Sequence, residues 1–185
     1  MTTLNRLPQL DPATTTGKPR QLLDAVQTKL GIVPNLMRVL ANAPAALEGY
    51  LQFSGALAGG VLNARIREQI AIAVAQGNHC DYCLSAHTFI GGKVGVAAAD
   101  LASARHAESP NAKDNAILKL ALTVLVQQGQ ISDEALQQAR TAGLTDAEIV
   151  ETTAHVALNL FTNYINHVAR TVVDFPEVRS ANPAA

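Results

Sequence analysis

Apolar residues at helical spacing run through the chain from Pro19 onward in stretches closed off by glycine, proline or a small capping residue. No segment alternates apolar and polar residues as a strand does. PRQLLDAVQTKLG opens on proline and closes on glycine, the order that helix ends favour. VPNLMRVLANAP is a shorter helix between prolines. PAALEGYLQFSGALAGG carries Leu47, Tyr50, Leu51, Ser54 and Leu57 near one face before Gly59-Gly60 stops it. Asn63 caps a helix with Ile66, Ile70, Ala73 and Val74 on its apolar side, and Gly77 ends it. Asn78 is suited to cap the next helix, which runs through both cysteines to Gly91-Gly92. A brief helix over 96–103 follows, and Pro110 then opens a stretch striped by Ile117, Leu120, Ala121, Val124 and Leu125. Ser132 and Gly143 bracket a short helix. Thr145 and Glu148 form a capping box for a last long helix from Asp146 to about Val173. Aromatic residues make up only 4% of the chain, so alanine and leucine carry most of the apolar weight, which suits closely packed helices. The pattern predicts an all-α protein, a compact helical bundle.

The Pro/Thr-rich start reads as an extended arm over 1–18, followed by a single helical domain over 19–185 with a helical hairpin at 63–92 around the two cysteines. Net charge is −1 with no basic block, which predicts no nucleic-acid partner. The N-terminal text lacks the apolar core of a signal peptide, and no apolar run approaches the roughly 18 residues of a membrane span. A cytoplasmic, reducing setting is therefore expected, where two cysteines are a poor candidate for a structural staple.

Those cysteines lie in EQIAIAVAQGNHCDYCLSAH, residues 68–87. On a continuous helix Cys80, Cys83 and His87 project within about 60° of arc, with His87 one turn beyond Cys83. A cap at Asn78 puts Cys80 in the first turn, where free N–H groups favour a thiolate. Glu68 lies on the preceding helix. The tight Gly77-Asn78 connection allows an antiparallel pair that brings its carboxylate towards the thiols or His87, as a proton acceptor or an orienting group. Three readings of the pair stand side by side: a redox dithiol, a zinc clip with Glu68 and His79 or His87, and small apolar core residues. A second ligand pair of the kind structural zinc usually uses is missing, and no metal or organic cofactor is expected.

The last helix carries His155, Asn159, Asn163 and Asn166 at three- and four-residue steps, and His167 beside them. A polar stripe on an apolar helix needs partners. Asn159, Asn163 and His167, with Tyr82, are candidates for a supporting ring around the thiols; hydrogen bonding that fixes helix packing is the alternative. Tyr50, Phe53, Phe89 and Phe161 are candidates for an apolar pocket beside the thiols. At an offset of eighty residues Glu68 falls on Glu148, Cys83 on Asn163 and His87 on His167, a pattern that a duplicated hairpin would leave.

Glu68, then Cys80-x-x-Cys83, then His87, set in ARIREQIAIAVAQGNHCDYCLSAHTFIGGKVG, resembles the alkylhydroperoxidase D-like group of the carboxymuconolactone decarboxylase superfamily, and most of all its peroxidase-related branch. NLFTNYINHVARTVVDFP is similar to that branch too. The resemblance implies an all-helical fold assembled as a trimer or hexamer. It also implies a thiol-dependent peroxidase of antioxidant defence that reduces organic hydroperoxides. In that scheme Cys83 attacks the peroxide, Cys80 closes the disulfide, Glu68 and His87 relay protons, and a lipoyl- or thioredoxin-like dithiol restores the pair. Tyr82 departs from the well-studied members, which have a histidine between the cysteines; a phenol is no base near neutral pH. A redox-sensing or metal-binding module without turnover is the alternative function.

Overall fold

The computed structural model describes residues 6–180, and among these it contains helices and no strand. In chain order they are α1 (Gly17–Leu30), α2 (Asn35–Leu40), α3 (Pro44–Ala58), α4 (Ala64–Gly77), α5 (Asp81–Lys93), α6 (Ala98–Ala104), α7 (Ala112–Val126), α8 (Asp133–Thr141) and α9 (Asp146–Ala169). The all-α bundle expected from the sequence is the fold observed.

Alpha-helix α4 forms the centre and packs against α5, α6, α7 and α9. Its sequence explains that place: Gln69 to Ala75 are buried without interruption, so the helix is covered on all sides rather than along one stripe. Ile70, Ile72 and Val74 are fully enclosed, each worth about 1.5–3 kcal/mol of burial. Leu84 of α5 and Leu118 of α7 close over the same core.

The predicted caps at Asn63, Ser132 and Thr145 accept backbone N–H groups, and Glu148 completes the capping box. Two helix ends differ from expectation. Asn78 does not cap the cysteine helix; it ends α4. The chain leaves α4 by a bond from His79 N–H to the Gln76 carbonyl and one from Cys80 N–H to the Ala75 carbonyl, with His79 at φ 55°. That is a Schellman ending with histidine in the left-handed position that glycine usually takes. In the same way α9 stops at Ala169, short of Val173, with Arg170 at φ 50°. The chain beyond turns back along α5. Val178 N–H donates to Ser85 Oγ at 2.9 Å, and the N–H and hydroxyl of Ser180 donate to Asp81 Oδ1 at 2.7 and 2.6 Å.

Candidate active site

Because the chain breaks after α4, Cys80 is the N-cap of α5 rather than a first-turn residue. Its Sγ accepts the Cys83 N–H at 3.3 Å, the position an N-cap oxygen ordinarily fills. The two cysteines are joined as a disulfide with Cα atoms 5.4 Å apart, and both are buried. Cys83 Sγ also accepts a hydrogen bond from Asn166 Nδ2 of α9 at 3.2 Å.

The antiparallel α4–α5 hairpin brings Glu68 to His87, with Oε2 2.8 Å from Nδ1. Gly91 makes room for α6 rather than for this pair: a Cβ there would stand 2.6 Å from Leu101 Cδ2 but in ordinary contact, 3.6 Å, with Glu68 Cβ. Both side chains are about one-fifth exposed, so the pair is shielded yet open to a small substrate. An ionised Glu68 accepts from Nδ1–H, which fixes the tautomer with its lone pair on Nε2, ready to take or return a proton. His87 lies one turn beyond Cys83, and its ring bonds to Glu68 rather than to a sulfur.

The remaining sequence candidates fall in other places. Tyr82 points away from the disulfide. Its buried hydroxyl accepts the Leu36 N–H at 3.1 Å, its ring packs edge-on against Phe175, and burial pushes its phenol far up. Asn159 bonds within α9, donating to the His155 carbonyl at 2.8 Å. Asn163 and His167 both hold the α4–α5 link: Asn163 Oδ1 accepts from Asn78 Nδ2 at 2.9 Å, and His167 Nε2 lies 2.9 Å from the Asn78 carbonyl. Asn166 is the member of the stripe that reaches a sulfur. Its signal in the sequence was its place in the three- and four-residue series; nothing there separated it from its neighbours.

Tyr50, Phe53 and Phe161 do line an apolar hollow of about 360 Å³ between α3 and α9, but no cysteine does, and Phe89 lies elsewhere, against Phe175. Burial, with the charge of Glu68 adding to it, pushes Tyr50 up to about 12. Cys80 instead borders a different cavity of about 610 Å³ between the start of α5, the end of α9 and the returning chain. The offset of eighty residues is no duplicated hairpin: Glu148, Asn163 and His167 share the unbroken α9, whereas Glu68 and Cys83 stand on two helices. Among the described residues no three His, Cys, Asp or Glu side chains form a metal-ligating group, and no helix is long and apolar enough to cross a membrane.

Comparison with known proteins agrees with this architecture. The carboxymuconolactone decarboxylase family model matches residues 44–127, from α3 to the end of α7. An uncharacterized peroxidase-related protein of Ralstonia eutropha with an alkylhydroperoxidase AhpD core superposes with a TM-score of 0.80 at 25% identity over 94% of each chain. A peroxidase-related protein of a Silicibacter species gives 0.79 at 21% identity over 93% of this chain and 94% of that one. The debrominase Bmp8 shares the fold with a TM-score of 0.75 at 16% identity, over 94% of this chain and 93% of that one. No curated protein matches the chain in sequence. The family model over residues 44–127, the superposed fold and the thiol hairpin agree in making this chain similar to the alkylhydroperoxidase D-like proteins of the carboxymuconolactone decarboxylase superfamily.

Proposed function

We propose that the protein is a thiol-dependent peroxidase that reduces organic hydroperoxides through a Cys80/Cys83 dithiol–disulfide cycle. The observation that carries this reading is the Glu68–His87 pair held at 2.8 Å one turn from Cys83, which is itself joined to Cys80. Cys83 thiolate attacks the terminal peroxide oxygen, the O–O bond breaks, and the alkoxide leaves with a proton from the His87–Glu68 relay. Cys80 thiolate then attacks Cys83 Sγ and expels the hydroxyl as water, so two electrons from the thiols yield one alcohol, one water and the disulfide. Asn166 Nδ2 lies where it stabilises Cys83 as a thiolate. No metal or organic cofactor enters the cycle.

A dithiol reductant of lipoyl or thioredoxin-like type would return the pair to its reduced form, in the reducing cytoplasm. Phe53, Phe161, Tyr164 and Val168 are exposed apolar side chains on α3 and α9, which supports a homo-oligomer, a trimer or hexamer by family likeness. The assignment of the sulfurs has a direct test. With hydroperoxide and dimedone, Cys80→Ser is expected to accumulate a dimedone adduct on Cys83, because the resolving thiol is gone. Cys83→Ser is expected to give none on Cys80. Equal labelling of the two variants contradicts the roles.

A further inference from the structure

We propose that residues 174–180 form a strap that gates reduction of the disulfide: it must swing off Asp81 and Ser85 before a dithiol reaches Cys80. This deepens the dithiol cycle above and rests only on its reductive half.

Cys80 and Cys83 are each only 2% exposed. Thiol–disulfide exchange needs a thiolate to come up on one sulfur in line with the S–S bond, so access sets the rate as well as reactivity. Sulfurs this enclosed give a dithiol no such line of approach, and part of the enclosure has to move. The cavity of about 610 Å³ at Cys80 shows which part. Its walls are the start of α5, the end of α9 and the chain between Thr171 and Arg179. Tyr82 and Asn166, from the two helices, are buried in the bundle. The third wall has no regular structure and leaves Pro176, Glu177 and Arg179 exposed.

The base and the tip of the strap are held differently. At the base, Asn35 at the start of α2 donates its N–H to Asp174 Oδ2 at 2.7 Å and its Nδ2 to the Val172 carbonyl at 3.0 Å. Phe175 then packs on Tyr82 and Phe89. Beyond Pro176 the tip lies along α5 on side-chain pegs. Ser85 Oγ accepts the Val178 N–H, Asp81 Oδ1 accepts both the N–H and the hydroxyl of Ser180, and Arg105 donates to the Arg179 carbonyl at 2.8 Å. A segment tied by a few partly exposed hydrogen bonds opens at far lower cost than a packed helix. Asp81 directly follows Cys80, so the tip is fastened beside the sulfur it covers.

Once the tip is free, one thiolate of the dithiol attacks Cys80 Sγ, the S–S bond breaks, and Cys83 leaves with the electron pair. The second thiol of the same molecule attacks the mixed disulfide at the reductant's sulfur and expels Cys80. The dithiol becomes an intramolecular disulfide, and its two electrons and two protons pass to the two cysteines. Where opening is faster than exchange, the observed rate is the open fraction times the intrinsic rate. Weakening a peg therefore raises the rate with every dithiol by one factor.

The test starts from protein oxidised with diamide, with no peroxide present, so that it reads the gate even where peroxide turnover is absent. Rates of reduction by dithiothreitol and by dihydrolipoamide are measured for the wild type, Ser85→Ala and Ser180→Ala. Each variant is expected to be reduced about tenfold faster than the wild type, by the same factor with both dithiols. Gly60→Ala loosens the link that Glu151 holds near the start of α9, at the other end of that helix. It controls for general destabilisation and is expected to stay within about twofold of the wild type. Hydrogen exchange reads the opening itself. Ser180→Ala should speed exchange at the Val178 amide, and Ser85→Ala at the Ser180 amide, since the tip lifts as one piece. Strap variants reduced at the wild-type rate, or Gly60→Ala accelerating as much as they do, would overturn the proposal. So would amides that respond only to the loss of their own peg.

Discussion

His155 sits in the middle of α9, buried, and its Nε2 has no hydrogen-bond partner among the described residues. Burial holds its pKa below the ordinary histidine value, and the neighbouring charge of Arg67 adds to this; Glu151 and Glu68 pull weakly the other way. The folded protein therefore keeps the ring neutral, while the unfolded chain takes up a proton below about pH 6.5. Stability from this residue is complete above that value and is lost as pH falls through it. The melting temperature of the wild type should drop more between about pH 7.5 and 5.5 than that of His155→Leu, which cannot titrate. Equal drops would show that His155 is not the group responsible. Reading the sequence found this residue as one step in a polar stripe. It could not say that the stripe divides its work, with Asn159 bonded within its own helix, Asn163 and His167 on the α4–α5 link, and Asn166 on a sulfur. Spacing reports which face of a helix a residue occupies, but the partner across that face comes from another element.

Gly60 follows α3, and the sequence presents it as a helix stop. The structure supplies a second reason for it. Glu151 of α9 accepts the N–H groups of Val61 and Leu62 at 2.8 and 3.0 Å, which ties the α3–α4 link to the last helix. A Cβ on Gly60 would overlap that carboxylate. Gly60→Ala should therefore displace Glu151 and cost about 1–3 kcal/mol, read as a shift in the urea midpoint. Gly92 near the end of α5 is the contrasting case, with open space around its Cβ, and Gly92→Ala should be neutral or stabilising by up to about 1 kcal/mol. If both substitutions cost the same, Glu151 does not hold the link. Helix starts were legible because Asn63, Ser132 and Thr145 cap through their own side chains. The ends of α4 and α9 were not, because His79 and Arg170 occupy left-handed positions that the sequence marks only when glycine fills them. That error moved Cys80 from the first turn of α5 to its N-cap. Both residues border the cavity at Cys80, where a less favoured backbone is kept on two helix ends at once.

At the scale of the whole molecule, a fully buried α4 sets the frame, α5 folds back against it to join Glu68 to His87, and α9 crosses both to bring Asn166 to Cys83. The all-helical fold was legible because helical period and caps are local signals. The pairing of Glu68 with His87 was accessible only in outline, through the tightness of the Gly77-Asn78 connection. The cavity at Cys80 was not accessible, since the end of α9 and the chain after Val173 form much of its wall from nearly a hundred residues away in sequence. The proposed cycle places peroxide at Cys83, one turn of α5 from the Glu68–His87 relay. The most direct test is stopped-flow oxidation of the prereduced protein by one equivalent of an organic hydroperoxide, with mass spectrometry of the product. The account predicts a Cys80–Cys83 disulfide formed at least about a hundredfold faster than oxidation of an ordinary thiol at the same pH, and slowed about tenfold or more by Glu68→Gln. Oxidation at the rate of an ordinary thiol, or a rate indifferent to Glu68→Gln, would contradict it.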